Sequence, residues 1–347
     1  MDKRFPRYKE LDALRGVAAL MVIFFHLTMG LHAQNGFHLG ATGVDLFFII
    51  SGFVITMSIS AVSNGKEFVI NRVSRLYPTY WAAVTFTFAL IAAYDWLKSE
   101  PIPWVNYLGN MTMFQYYLNI PDLDPPYWTM IVEMNFYILM LLLFQLGLVR
   151  FVIGIGLFLT VSSSLVSTFF WNEITQSVFK AVPLLKFFPL FFAGIVFYEW
   201  RTSPGKYWYI LILVICIVAQ ANLYNVPPGR GGFFSQTEYA GMLLLFFTLF
   251  LLFVRGKLSF VVNRPMLFLG KISFALYLTH QYVLLAFLMP LLVNRLKVNY
   301  WVSAFLICLP VAILIATAIT FLIDVPYSVK MRRALSNKLL QSDATHV

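Results

Sequence analysis

Charged side chains are scarce in this chain of 347 residues, and their scarcity excludes most soluble folds. Asp, Glu, Lys and Arg together make up 12% of the sequence, whereas about 25% is usual for a soluble domain. Hydrophobic residues make up 60%, and no hydrophilic stretch is long enough to form a second domain. The composition therefore predicts one bundle of helices in a lipid bilayer, because helices satisfy their own backbone hydrogen bonds there.

Cysteine is nearly absent, which bears on metal sites and disulfides. Cys216 and Cys308 both lie inside apolar runs and have no partner at ligand spacing, so we expect buried hydrophobic residues and no metal. The net charge of +10 is compatible with nucleic-acid binding. However, the basic residues lie in short loops between apolar runs, where they orient membrane helices. We therefore expect a lipid bilayer, and no nucleic acid, as the partner.

Long apolar runs recur along the whole chain, each close to the ~20 residues that cross a bilayer core. Most Lys and Arg residues fall in alternate loops, which predicts that both termini are cytoplasmic and that the number of spans is even. The predicted fold is an all-α polytopic membrane protein with about ten transmembrane helices. We expect a single transmembrane domain over 1–347 with no fused extracytoplasmic domain. The predicted spans are 12–32, 41–62, 78–97, 127–147, 149–170, 184–200, 207–223, 238–254, 267–292 and 299–323.

The first predicted span carries two ionisable side chains, Arg15 and His26. Such a group costs roughly 2.5–3.5 kcal/mol within a membrane helix, so each one needs a reason. Their eleven-residue spacing places both on one helix face, about 16 Å apart along the axis. Arg15 would then lie near the cytoplasmic end and His26 in the outer half. Arg15 can also be interpreted as a residue that snorkels to the interface.

Two carboxylates are predicted at a depth similar to that of His26. Asp45 lies near the start of the second span and Glu133 near the start of the fourth, and both spans enter from the outer side. The three groups could therefore meet roughly 6–9 Å below the outer interface. His280 lies nearer the midplane, on the ninth span. A purely structural role, in which the carboxylates tie helices together, stays open.

Two arginines precede the third span on the predicted cytoplasmic side. If the segment is helical, the three-residue spacing of Arg72 and Arg75 points both side chains the same way. Arginine forks bind phosphate through two hydrogen bonds, and Arg15 is expected at about the same level. The pattern indicates a site for a phosphorylated molecule. The alternative is that Arg72 and Arg75 only mark the cytoplasmic side.

Five motifs in the same order along the chain resemble those of the membrane-bound acyltransferase 3 family. The motifs are 11–16 with the spacing of Arg15 and His26, 43–53 with Asp45, 72–78 with Arg72 and Arg75, 128–137 with Glu133, and 272–280 with His280. The sequence departs from the family's pattern at three positions: Thr129 stands where the family has Ser, Thr279 where it often has Trp, and Asp324 where it often has Glu.

The resemblance implies an enzyme that transfers an acyl group, often acetyl, from acyl-CoA to a hydroxyl. Acceptors in the family are usually sugars of surface or exported glycans, so a glycan or glycolipid acceptor is expected. Acyl-CoA, often acetyl-CoA in this family, would be a co-substrate, and no metal would be needed. The family implies an integral protein of the bacterial inner membrane.

The residues can support such a reaction. A neutral His26 can act as general base on the acceptor hydroxyl, while Asp45 or Glu133 orients it and stabilises the imidazolium. Arg15, Arg72 and Arg75 would hold the phosphates of CoA. The candidate acceptor or pocket residues, whose aromatic members can equally form an interfacial belt, are Tyr127, Trp128 and His280.

Two other classes of protein stay open at this point. A proton-coupled transporter could use His26, Asp45 and Glu133 as a relay, because buried acids and a histidine serve that purpose as well. A structural subunit of a membrane complex would account for the spans but not for the buried charges.

Overall fold

The computed structural model describes residues 7–29, 36–227 and 233–344, with side chains up to residue 337. Within these residues every regular element is helical. The end of the first predicted span, at 30–32, lies outside them. The helices are α1 (Lys9–Thr28), α2 (Gly43–Ile59), α3 (Gly65–Leu97), α4 (Trp104–Met111), α5 (Trp128–Gln145), α6 (Val152–Phe169), α7 (Glu173–Ala181), α8 (Phe188–Thr202), α9 (Tyr209–Asn222), α10 (Gln236–Val254), α11 (Arg264–Gln281), α12 (Leu309–Ile319) and α13 (Val325–Ala344).

Eight helical segments in the described residues are long and apolar enough to cross a membrane. The prediction of an all-α integral membrane protein is therefore confirmed. These segments join several helices to the 3-10 or π turns that extend them. They are Lys9–Thr28, His38–Ile59, Gly65–Leu97, Pro125–Gln145, Val149–Phe169, Gln236–Val254, Arg264–Arg295 and Val302–Asn337.

The predicted count of about ten spans is not confirmed. The predicted spans 184–200 and 207–223 correspond to α8 and α9, which have 15 and 14 residues. At 1.5 Å per residue such helices are about 22 Å long, less than the ~30 Å of a hydrocarbon core. The cytoplasmic location of both termini stays a prediction.

The third predicted span, 78–97, lies within a longer helix, α3. This helix starts at Gly65, where the Asn64 side chain accepts the Glu67 backbone N–H at 2.8 Å and so caps the helix. Pro78 lies inside the helix. A proline costs one backbone hydrogen bond, and membrane helices tolerate this where neighbours satisfy the exposed carbonyl.

The last two spans depart from regular α geometry. Helix α11 continues into the π segments Tyr282–Leu288 and Pro290–Arg295. Helix α12 lies between the π segments Val302–Cys308 and Thr320–Asp324. Wide turns of this kind are rare and are frequent at functional sites.

The chain divides into two compact units, which are described separately. Unit 1 comprises residues 1–61 and 132–270, and unit 2 comprises residues 62–131 and 271–347. The boundaries at 131/132 and 270/271 fall inside α5 and α11. A single transmembrane domain over 1–347 stays a prediction.

The core of unit 1 is built on the packing of α2 against α8. The Phe48 ring lies 4.7 Å from Phe191 and 5.2 Å from Phe187, between ring centroids. A methyl group at Gly52 would collide with the Phe191 carbonyl oxygen, and one at Gly194 with the Ile49 carbonyl oxygen. The two backbones therefore approach as closely as glycine permits, which is a common device for packing membrane helices.

The core of unit 2 is built around α3. Helix α3 contacts α4, α12 and α13. Its Phe88 ring stacks on Tyr107 at 4.3 Å, and its Tyr80 ring lies 5.3 Å from that of Tyr127. Trp81 donates its indole N–H to the Met111 carbonyl at 2.9 Å. These contacts attach the segment between α3 and α5 to the surface of α3.

Replacing Gly52 by alanine should destabilise the protein, because the added methyl group meets backbone that cannot rotate away. Overpacking of this kind costs about 1–3 kcal/mol, so we expect a lower melting temperature for purified protein in detergent. Gly154→Ala in α6 is the control, since nothing lies within 4 Å of a methyl group there. Equal melting temperatures for the two variants would contradict the close α2–α8 packing.

Candidate functional site

His26 lies two residues before the end of α1, and one of its ring nitrogens makes a hydrogen bond to the helix backbone. Its Nδ1 lies 2.9 Å from the Val22 carbonyl oxygen. A carbonyl can only accept, so Nδ1 carries the hydrogen. In the neutral ring, Nε2 then has the lone pair and is the nitrogen that can take a proton. The helix is continuous between Arg15 and His26, as the shared-face prediction requires.

The start of α2 lies beside the middle of α1. A methyl group at Gly43 would meet the Ala18 carbonyl and the Val22 side chain. Val22 is the residue whose carbonyl holds His26. Asp45, in the first turn of α2, is fully buried. The structure thus places the first turn of α2 against residues 18 and 22 of α1, and a direct pairing of His26 with a carboxylate stays a prediction.

Glu133 on α5 accepts hydrogen bonds from two hydroxyl groups, one on α2 and one on its own helix. Ser51 Oγ donates to Glu133 Oε1 at 3.0 Å, and Tyr137 OH donates to the same oxygen at 2.5 Å. Two O–H donors on one oxygen suit a carboxylate. Sequence analysis did not identify these partners. The four-residue spacing of Glu133 and Tyr137 on one helix could have indicated the second, whereas nothing local indicates Ser51.

Arg15 has an acidic neighbour on its own helix. Its Nη1 lies 3.3 Å from Asp12 Oδ1, and Arg7 Nε lies 2.6 Å from Asp12 Oδ2. Asp12 therefore bridges two guanidinium groups at the beginning of α1. Sequence analysis treated Arg15 as a phosphate ligand without this carboxylate, although the three-residue spacing could have shown it.

In unit 2, Arg72 and Arg75 both lie in helix α3. The segment is therefore helical, which was the condition for predicting that both side chains point the same way. Arg75 Nη1 donates to Asp324 Oδ2 at 3.0 Å, and Asp324 also accepts from Ser328 Oγ at 3.2 Å. The Arg72 guanidinium lies over the Phe68 ring at 5.9 Å. Arg75 is thus more than a marker of membrane orientation, because a buried acid holds it.

The candidate pocket residues also lie in unit 2, and they differ in exposure. His280 and Tyr127 are fully buried, whereas Trp128 is 38% exposed. His280 Nδ1 lies 2.8 Å from the Tyr277 carbonyl, so this nitrogen carries the hydrogen, as in His26. Tyr127 OH lies 3.3 Å from Thr87 Oγ1 on α3. The Trp128 exposure fits the interfacial interpretation.

Asp124 is a buried acid that sequence analysis passed over as part of a loop. Its carboxylate accepts the Tyr282 backbone N–H at 3.2 Å, where α11 gives way to its first π segment. Burial raises the pKa of Asp124 to about 8, with a further increase from the charge of Asp122, while the Tyr282 hydrogen bond acts in the opposite direction. The residues around Asp124, 121–126, could not predict this contact, since the partner is 158 residues away.

The site residues are thus distributed over both units. Unit 1 contains Arg15, His26, Asp45 and Glu133, whereas unit 2 contains the remaining five. Across the part of the chain that the structure describes, no group of three or more His, Cys, Asp or Glu side chains could hold a metal ion. The residues of unit 2 are Arg72, Arg75, Tyr127, Trp128 and His280.

Long apolar helices with ionisable side chains buried among them define an integral membrane protein that performs polar chemistry. The model of the acyltransferase 3 family, described as an acyltransferase domain, matches residues 8–321. The chain therefore belongs to the acyltransferase 3 family and is an acyltransferase. The resemblance noted in the five motifs is confirmed.

Three relatives show the range of the family. ORF330 of Acidianus two-tailed virus, whose acetyltransferase assignment is provisional, is 26% identical over 81% of this chain and 84% of its own length. The O-acetyltransferase OatA of Staphylococcus aureus (strain NCTC 8325 / PS 47) is 28% identical over 79% of this chain. YrhL of Bacillus subtilis, provisionally a peptidoglycan O-acetyltransferase, is 28% identical over 37%. The chain spans 50% of the length of OatA and 22% of that of YrhL, and no solved structure matches it.

The raised pKa of Asp124 has a consequence for stability. An acid whose folded pKa exceeds its ordinary value of 3.8 binds its proton more tightly in the folded state, so stability falls as the pH rises from about 4 to about 8. Asp124→Asn removes this contribution. Between pH 5 and pH 8 the melting temperature of the wild type should therefore fall by about 5 °C more than that of the variant.

The exposed Glu100, which like Asp124 lies between α3 and α5, supplies the control for this measurement. Glu100→Gln should keep the pH dependence of the wild type. If Asp124→Asn shows the same decrease as the wild type, Asp124 is ionised in the folded protein at neutral pH and the argument from burial fails.

Proposed function

We propose that this protein is a membrane O-acetyltransferase that moves an acetyl group from cytoplasmic acyl-CoA to a hydroxyl of a surface or exported glycan. His26 is the general base. The observation that carries the proposal is the Nδ1 contact of His26 with the Val22 carbonyl, since it directs the basic Nε2 lone pair away from the helix backbone. Family membership and the names of OatA and YrhL support the choice of O-acetyl transfer.

The reaction needs a base because a sugar hydroxyl is a weak nucleophile. His26 Nε2 takes the hydroxyl proton while the oxygen attacks the thioester carbonyl carbon. The tetrahedral intermediate collapses, the carbon–sulfur bond breaks, and the thiolate of CoA leaves and takes up the proton. Asp45 or Glu133 stabilises the imidazolium formed in the first step. Glu133 is suited to this role because Ser51 and Tyr137 already hold one of its oxygens.

The donor would be bound through its phosphates by arginine. Arg72 and Arg75 lie one turn apart on α3, and the guanidinium fork matches phosphate oxygens. Arg15 is assigned the same role on α1. Asp324 leaves much of the Arg75 side chain exposed, at 48%, while fixing its position.

The acceptor is a glycan or glycolipid, and Tyr127, Trp128 and His280 are assigned to its pocket. The whole chain, 1–347, acts as one transmembrane domain in the bacterial inner membrane with both termini in the cytoplasm. No metal enters the mechanism. The rival function, a proton-coupled transporter that uses His26, Asp45 and Glu133, is not favoured by the family to which the chain belongs.

His26→Ala should abolish acetyl transfer, because no other group is assigned to accept the hydroxyl proton. A general base contributes about 10²–10⁴-fold to a rate, so a loss of at least 100-fold is expected. The assay follows labelled acetyl from acetyl-CoA to glycan in reconstituted vesicles, with donor binding measured separately. His38→Ala is the control, since His38 contacts Glu238 at 3.0 Å and has no assigned role in the reaction. Near-normal transfer by His26→Ala would refute the proposal.

Arg72→Ala and Arg75→Ala should each raise KM for acetyl-CoA, because each removes one charged fork from the donor phosphates. An increase of about tenfold corresponds to one charge-assisted hydrogen bond of ~1.5 kcal/mol. Arg150→Ala, at an exposed position, should leave KM unchanged. Asp324→Asn tests whether the contact with Asp324 matters for donor binding. A raised KM in this variant means that Asp324 positions Arg75 for the donor. An unchanged KM in both arginine variants would remove these residues from the donor site.

A further inference from the structure

We propose that Lys186 is the counter-ion of Asp45, and that this pair holds the carboxylate in place at the first turn of α2, which packs against α1, the helix that carries His26. The inference deepens the proposed function, on which its catalytic consequence rests. The pair itself is a statement about two buried charges and can be tested without any acyl transfer.

Lys186 is the buried lysine among the residues whose side chains the structure describes. It ends the 3-10 turn Pro183–Lys186 that precedes α8, and it is 8% exposed. Its backbone carbonyl accepts the Gln220 side-chain amide at 3.3 Å. Lysine is almost never buried unless it is paired, because removing an ammonium group from water is costly. A carboxylate partner is therefore expected within reach.

Helices α2 and α8 run parallel, which fixes the level of Lys186. Phe48 on α2 contacts Phe187 and Phe191, and Phe53, further along α2, contacts Tyr198 further along α8 at 5.4 Å. Both helices thus advance in the same direction. One turn before Phe48 on α2 corresponds to the beginning of α8, where Lys186 lies.

Asp45 lies on the face of α2 that α8 covers. It precedes Phe48 by three residues and Gly52 by seven, and this spacing follows one stripe of a helix. Both Phe48 and Gly52 contact α8. Asp45 is fully buried, so it shares the need of Lys186 for an opposite charge.

The position of the ammonium group supports the pairing. Lys186 Nζ lies 5.5 Å from the centroid of the Phe187 ring, and that ring lies 5.2 Å from the Phe48 ring. Phe48 is one turn from Asp45, about 4.5 Å along the axis. The flexible stem of lysine allows its charge to reach across this distance.

The other acids of unit 1 fit less well. Glu133 accepts from Ser51 and Tyr137, and Glu238 accepts from Ser235. Asp12 binds two arginines, and Glu199 lies in the last turn of α8, at the end opposite to Lys186. Asp45 is the one fully buried acid among the described residues of this unit.

The pairing assigns Lys186 a positioning role. It acts through Asp45, whose charge it balances and which it fixes at the first turn of α2. A carboxylate held in this way can stabilise a positive charge on His26, whereas a displaced Asp45 cannot. Lys186 does not itself contact the reacting atoms in this account.

The test is a double-mutant cycle on folded yield and melting temperature in detergent, with Lys186→Met, Asp45→Asn and the double variant. Removing one partner of a buried pair strands the other charge, whereas removing both is often neutral. Each single variant should therefore lower the melting temperature by about 5 °C or more, and the double variant should recover most of that loss. Lys186→Arg should remain close to the wild type. Lys180→Met, at an exposed lysine of unit 1, is the matched control and should have no effect.

Additive losses in the double variant would overturn the pairing, and so would a double variant that folds no better than the worse single one. Activity is a separate readout: among variants that fold, Lys186→Met should lower kcat with little change in KM for acetyl-CoA, and Lys186→Arg should restore kcat. Recovery of stability together with an unchanged kcat would confirm the pair but refute its positioning role. If the wild type transfers no acetyl group, the proposed function fails while the stability cycle still decides the pair.

Discussion

The close approach of α2 and α8 is the contact on which the polar side chains of unit 1 depend. Gly52 and Gly194 allow the two backbones to touch, and the Phe48 ring fills the space beside them. This packing sets the level of Asp45 and brings the turn with Lys186 beside it. A side chain larger than hydrogen at either glycine would separate the helices, and with them the two charges.

Every ionisable group inside the bundle needs a partner, because lipid supplies none. The structure meets this need with contacts that link elements distant in sequence: Ser51 with Glu133, Arg75 with Asp324, and Asp124 with the Tyr282 backbone. The first two of these contacts hold groups that the proposed reaction uses. Stability and positioning are therefore served by one set of hydrogen bonds, so a variant at these residues is best assessed by stability and by kinetics together.

Local signals accounted for a good part of the site. The eleven-residue spacing of Arg15 and His26 predicted one helix face, and α1 is continuous between them. The three-residue spacing of Arg72 and Arg75 predicted a helical segment, which α3 provides. The span predicted over 78–97 lies within α3, which begins at Gly65. The predicted count of about ten spans is not confirmed, because α8 and α9 are apolar but have only 15 and 14 residues.

The sequence by itself determined the class of this protein, since scarce charge and long apolar runs admit only membrane helices. It also determined which residue types occupy the spans and, through ordered motifs, the acyltransferase 3 family. The tertiary structure alone decided the partners that lie on other helices: Ser51 for Glu133, and Asp324 for Arg75. The physical reason is that periodicity and hydropathy act within one helix. The neighbour of a buried charge, in contrast, depends on how two helices pack, and that is set by glycine contacts and ring stacking far apart in the chain.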